Sequence, residues 1–252
     1  MIFLRSLVFN VWFYGVTFVL AFGSMPPRLF TRNPEPPWAM RVARLWARLV
    51  LGGLRHVCGA DWEVTGRENL AGSGPMLVAS MHQSAFDTMV WLLLLPDACY
   101  VLKRELLAIP VFGAMCRMTG MIAVDRGAGS GAIRSLLRGA DRVLAAQRQI
   151  VIFPEGTRAP PGTLLALQPG IAALAARSRL AVIPVVTDSG ICWGKRAFRK
   201  RSGTIHIAIG RPIPAGLARE ELMQRLEQAL TDGLKDLGPP VENSVGQAGS
   251  GL

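Results

Sequence analysis

His82 and Asp87 stand five positions apart in the run Met81-His82-Gln83-Ser84-Ala85-Phe86-Asp87, directly after a short apolar segment that reads as a buried strand. A neutral imidazole held by a carboxylate is a general base that works near neutral pH. The spacing by itself carries little weight. With three His and eight Asp in 252 residues, some His-x4-Asp arises by chance about one time in ten. Its significance comes from residues further along: Lys103, the pair Asp125-Arg126 and the turn Pro154-Glu155-Gly156 each follow another apolar run.

These residues need elements to position them. From Glu63 onward, short apolar runs at 75–79, 98–102, 121–125, 149–153, 181–186 and 204–209 read as strands. Helical patterns lie between them at 86–95, 106–118, 131–146, 170–178 and 219–237. That alternation predicts an α/β fold, a mixed and largely parallel sheet flanked by helices. Sites in such sheets form beyond the carboxyl ends of strands, where His82, Lys103, Arg126 and the 154–156 turn all fall.

Half of the residues are hydrophobic and the formal net charge is +11, with a mean hydropathy of +0.32. Basic and apolar excess together favour the anionic face of a membrane over a nucleic acid, for which no zinc-finger spacing or aromatic–basic interleaving is found. Residues 6–25 form a nearly charge-free stretch of the length that crosses a bilayer core. Asn10 and Gly15 weaken it as a spanning helix, and Ala21-Phe22-Gly23 resembles a signal-peptide cleavage site; an embedded or spanning anchor is the preferred reading. After the Pro-rich link at 33–37, a second helix places Trp38, Val42, Leu45, Trp46 and Leu49 on one side and Arg41, Arg44, Arg48 and Arg55 on the other. It suits a membrane interface or the cover of a core equally well. Residues 1–58 are thus read as membrane-anchoring helices, 59–238 as the catalytic domain and 239–252 as a disordered tail. Cys58, Cys99, Cys116 and Cys192 show no C-x-x-C pairing and read as reduced, buried thiols of a cytosol-facing protein.

The run His82-Gln83-Ser84-Ala85-Phe86-Asp87 resembles the His-x4-Asp block of the glycerophospholipid acyltransferases. Lys103-Arg104-Glu105-Leu106, Pro110-Val111-Phe112-Gly113 and Gly120-Met121-Ile122-Ala123-Val124-Asp125-Arg126 look like the second block of that family. Phe153-Pro154-Glu155-Gly156-Thr157-Arg158 matches the third in full, and Val182-Ile183-Pro184-Val185 is similar to the fourth. The resemblance is strongest to the 1-acyl-glycerol-3-phosphate acyltransferases. It implies acyl transfer from a thioester, acyl-CoA or acyl carrier protein, to the sn-2 hydroxyl of lysophosphatidic acid at the cytoplasmic face of the inner membrane. No cofactor, metal or nucleic acid is implied; membrane lipids and the acyl donor are the expected partners. His82 would be the base and Asp87 its orienter. Lys103, Arg126 and Arg158 would bind the acceptor phosphate, with Gly156 and Thr157 offering backbone donors. Glu155 would bind the glycerol hydroxyl or lock an arginine.

Departures from the pattern are Met81 in place of a frequent Asn, Ala159 in place of a frequent Ser, and Gln168-Pro169-Gly170 without the Lys often found there. Other readings stay open: acylation of another lysolipid such as a lyso-ornithine lipid, lipid hydrolysis with Ser84 as nucleophile, or a non-catalytic membrane scaffold. Ser84 otherwise reads as a helix-start cap. The basic run Gly194-Lys195-Arg196-Ala197-Phe198-Arg199-Lys200-Arg201 is either a solvated face or an attractor for anionic headgroups, the phosphates of CoA or an acidic acyl carrier protein. His56 and His206 are assigned no partner.

Overall fold

Valine, isoleucine and leucine dominate the inner strands, as a sheet covered on both faces requires. The computed structural model describes residues 1–24, 28, 32–70, 72 and 74–238. The expected tail at 239–252 and Met25 at the end of the expected anchor lie outside the described residues. Seven strands form one sheet in the order β1-β7-β6-β2-β5-β3-β4. They are β1 (Ala60–Thr65), β2 (Leu77–Ser80), β3 (Ala98–Lys103), β4 (Ile122–Val124), β5 (Gln149–Ile152), β6 (Val182–Thr187) and β7 (Gly203–Ile209). Every pairing is parallel except β6 with β7. β2, β5 and β6 are buried at every residue, whereas edge strand β1 alternates. β1 is shorter in apolar content than the other strands, and the sequence reading began too late to include it.

Pro184 sits inside an internal strand without breaking it. Met81 N–H reaches Val185 C=O on the β2 side, so the missing N–H of Pro184 faces β7, whose pairing with β6 starts only at Val185 and Ile209.

One face of the sheet carries α1 (Ile2–Gly23), α2 (Pro37–Gly53) and α3 (Asp87–Leu94); the other carries α5 (Ser130–Ala145), α6 (Gly170–Ser178) and α7 (Arg219–Asp236). α4 (Phe112–Met118) lies beside α2. The single helix expected at 106–118 is instead a 3-10 turn, Arg104–Ala108, followed by α4. Pro110 lies between them, and its ring and absent N–H forbid a continuous helix.

α1 is 22 residues long and is long and apolar enough to cross a membrane by length and composition. Phe3, Leu4, Val11, Tyr14, Phe18 and Val19 are exposed along it. Its other side is fastened. The Trp12 indole N–H donates to Leu49 C=O at 2.8 Å, and the Trp46 indole N–H donates to Thr17 Oγ1 at 2.9 Å. α2 buries Ala39, Ala47, Val50 and Leu51 against the core, while Trp46 packs on Phe13 of α1. The stripe predicted for α2 therefore splits: Trp46 and Leu49 turn toward α1, and Leu45 is exposed.

Candidate active site

β2 is central, and its carboxyl end delivers His82 between the ends of β5 and β6. Asp87 is the first residue of α3, where an anion is favoured by the free N–H groups of the helix start. Its Oδ2 accepts from Gln83 N–H at 2.7 Å and Ser84 N–H at 2.8 Å, and lies 3.0 Å from His82 Nδ1. A carboxylate only accepts, so Nδ1 carries the hydrogen and Nε2 keeps its lone pair. The imidazole stacks on the Phe153 ring with centroids 4.2 Å apart and planes 22° apart. Tyr100 stacks behind Phe153 at 6.2 Å. The side chain of Asp87 is 3% exposed and that of His82 15%, so the carboxylate is sealed and the ring reaches solvent.

The main chain of His82 is held on both sides. Its N–H donates to Glu155 Oε2 at 3.1 Å and its C=O accepts from Ala159 N–H at 2.7 Å. Glu155 Oε1 accepts from Leu165 N–H at 3.1 Å. Glu155 is buried, and burial raises its pKa above the ordinary glutamate value. Sequence reasoning placed Glu155 against a glycerol hydroxyl or an arginine. Both carboxylate oxygens are instead engaged by backbone donors, fastening the turn after β5 to the base. No local sequence signal announces a contact that spans 73 positions.

Ser84 is fully buried, and its Oγ accepts from Phe86 N–H at 3.1 Å. This is a turn-forming contact just before α3. The α3 cap position itself is Phe86, without a side-chain cap.

Arg126, Arg158 and Lys103 follow β4, β5 and β3, as the sequence suggested. Arg126 Nη1 donates to Gly156 C=O, and partial burial lowers the Arg126 pKa. Gly156 has φ +71°, a left-handed conformation glycine adopts freely, and an added Cβ would lie 3.0 Å from Arg126 Nη1. Asp125 pairs with Arg104 at 3.6 Å, not with its neighbour Arg126. Lys103 and Thr157 are exposed and Arg158 is half-buried. Lys103 stands three residues beyond the Tyr100–Val151 pair, as Pro154 does, one strand away. Among the described residues, none of Lys103, Arg126 and Arg158 makes an ion pair. Cations without a direct ion pair around a glycine turn are suited to hold an anion.

The start of the loop after β6, residues 188–193, carries no signal in the sequence, yet it touches the site. Gln83 is buried, and its Oε1 accepts from Gly190 N–H at 3.1 Å. The basic run 194–201 is not simply a solvated face. Lys200 is 4% exposed: its Nζ donates to Asn10 Oδ1 at 2.8 Å and to the carbonyls of Ala197 and Phe198. Its Nζ also lies over the rings of Phe9, Trp193 and Phe198. Burial lowers its pKa.

Two other histidines bear on the original pair. His56 and Asp61 repeat the His-x4-Asp spacing, but Asp61 pairs with Arg55 at 3.0 Å. His206 has a partner the sequence did not disclose, Asp188, with Nδ1 and Oδ2 2.7 Å apart. Its neighbours Ile205 and Ile207 join the core under α1–α3, so His206 projects from the opposite face of the sheet to His82. The four cysteines are free and buried as expected; burial raises the pKa of Cys99 and Cys192 to about 11 and that of Cys116 to about 12.

The profile of the family described as Acyltransferase matches residues 61–188, which include all four strand ends named above. A 1-acyl-sn-glycerol-3-phosphate acyltransferase of Pseudomonas aeruginosa is 34% identical over 79% of this chain and 78% of its own. The human 1-acyl-sn-glycerol-3-phosphate acyltransferase alpha is 31% identical over 69% of this chain and 63% of its own. The crystal structure of the 1-acyl-sn-glycerophosphate acyltransferase of Thermotoga maritima superposes with a TM-score of 0.70, covering 94% of this chain and 98% of that one at 22% identity. That likeness shows a shared fold. With a matching profile over half its length and a relative this similar, the chain belongs to the acyltransferase family.

Proposed function

We propose that the enzyme transfers a fatty acyl group from a thioester donor, acyl-CoA or acyl carrier protein, to the sn-2 hydroxyl of lysophosphatidic acid. The observation that carries this reading is the His82–Asp87 pair with the Nδ1 hydrogen committed to Asp87. Nε2 takes the proton of the acceptor hydroxyl as its oxygen attacks the thioester carbonyl, and Asp87 stabilises the imidazolium that forms. The carbon–sulfur bond breaks and the released thiolate takes up the proton. Lys103, Arg126 and Arg158 hold the acceptor phosphate over the Gly156 turn. The names of the relatives support the substrate class, and the geometry of the His82–Asp87 pair supports the proton handling.

The reaction takes place at the cytoplasmic face of the inner membrane, with α1 as the anchor. Phe9 and Ser6 of α1 are fully buried against the rest of the chain, which supports a retained helix over a cleaved signal peptide. Purified enzyme supplied in turn with lysophosphatidic acid and lyso-ornithine lipid, each with acyl-CoA and acylated carrier protein, tests the reading. Rapid formation of phosphatidic acid is expected. A marked preference for the lyso-ornithine lipid would overturn the acceptor assignment, and full turnover by His82→Ala would overturn the mechanism.

A further inference from the structure

The loop between β6 and β7 reaches three separate parts of the molecule. Gly190 meets Gln83 beside the base. Trp193 packs edge-on against Phe9 at 5.3 Å and Phe13 at 5.9 Å of α1. Lys200 donates its N–H to Ser6 Oγ at 2.9 Å and buries its Nζ on Asn10. Asn10, the polar residue that weakened α1 as a spanning segment, is thus spent on holding this loop. Between these two footings the chain swings Lys195 across to the turn after β5. Its Nζ lies 3.5 Å from Thr157 Oγ1 and 3.4 Å from Arg158 C=O.

Both contacts are long and both acceptors are neutral. Among the described residues Lys195 makes no ion pair, and Lys103, Arg126 and Arg158 around the same turn make none either. Cations that follow neighbouring strand ends without a direct ion pair repel one another, and an anion among them relieves that repulsion. A Lys in ordinary surface use would be free to swing into solvent; this one is delivered by a loop fastened at both ends. We propose that Lys195 is a fourth cation of the acceptor site and binds the phosphate monoester of the lysolipid, placed there by the seat of Lys200 on α1. The assignment rests on the phosphate-bearing acceptor of the proposed function.

The test uses full-length enzyme and the variants Lys195→Met and Lys195→Arg. The side chain to be changed is exposed, and unfolding midpoints in the same detergent check that each variant folds. Lys195→Met is expected to raise KM for lysophosphatidic acid about tenfold, the loss of one charge-assisted contact. KM for the acyl donor and turnover of phosphate-free lyso-ornithine lipid should stay within about twofold, a difference too small to count as a lost contact. Lys195→Arg should recover most of the loss. An unchanged lysophosphatidic acid KM, or a rise confined to the donor, overturns the proposal. Glycerol 3-phosphate gives a readout independent of turnover: it should raise the unfolding midpoint of wild type more than that of Lys195→Met. Should wild type prefer the phosphate-free acceptor while that difference persists, the acceptor reading falls and the Lys195 phosphate contact stands. Equal shifts in both proteins overturn the contact itself.

Discussion

Asp87 Oδ2 lies 3.0 Å from His82 Nδ1 while accepting two backbone N–H groups from Gln83 and Ser84. The carboxylate is therefore positioned by main chain before it positions the ring, and its charge is needed to serve three donors through one oxygen. In Asp87→Asn a neutral amide oxygen must serve the three donors in place of an anionic one. A fall in kcat of roughly 10³–10⁴-fold is expected, the scale seen when a carboxylate orienter becomes an amide in a catalytic triad. Steady-state assays with both substrates saturating check this, and a loss under tenfold would deny Asp87 its orienting role.

Ser84→Ala separates acyl transfer by a base from hydrolysis by a serine nucleophile. The lost contact is one neutral hydrogen bond to Phe86 N–H, worth about 1 kcal/mol of stability. Turnover is expected to remain within severalfold of wild type, with a modest drop in unfolding midpoint. Abolished turnover in a folded variant would restore the serine hypothesis.

Phe153 bears on rate rather than on affinity. Its ring supports the imidazole at 4.2 Å, and such stacked pairs contribute about 0.5–1.5 kcal/mol. Phe153→Leu keeps an apolar side chain and removes the flat support. A loss of kcat of about tenfold or less is expected from that energy, with acceptor KM unchanged; a KM effect without a kcat effect would contradict the assignment.

Glu155 yields a pH prediction. Burial raises its pKa, so the protonated form is favoured in the folded protein. That contribution is present below the ordinary glutamate value and is lost as pH rises through the raised value. The two backbone donors, Leu165 N–H and His82 N–H, oppose that effect by stabilising the carboxylate. Glu155→Gln removes the titration but leaves one of those donors facing an amide N–H. A loss of about 1–3 kcal/mol is expected at neutral pH, growing as the pH is lowered through the raised glutamate range, because only wild type gains stability there. Chemical denaturation at several pH values measures both, and a pH-independent difference would refute the account.

Much of the fold was legible because the inner strands are buried on both faces and leave unbroken apolar runs. Pro110 was equally legible in principle, since its effect on a helix at 106–118 is local, but the apolar period on either side masked it. The candidate site was legible where its residues lie at or just past strand ends, His82, Lys103 and Arg126, with Arg158 six residues beyond β5. The spacing of His82 and Asp87 was not itself diagnostic, for His56 and Asp61 share it and Asp61 serves Arg55. Pairings across long sequence distances were invisible, among them Asp188 with His206, Lys200 with Asn10 and Glu155 with the His82 N–H. Each depends on how strands and loops are brought together, which no local pattern encodes.

The paired backbone contacts of His82 with Glu155 and Ala159 have a geometric corollary. They tie the base and the glycine turn together through the main chain, so that the two are placed as one piece. For a glycerol backbone carrying a hydroxyl and a phosphate, that piece is a gauge of fixed length. Under the proposed reaction, a hydroxyl placed farther from the phosphate is expected to miss the nitrogen, so that regiochemistry would be set by the protein and not by the reactivity of the alcohol.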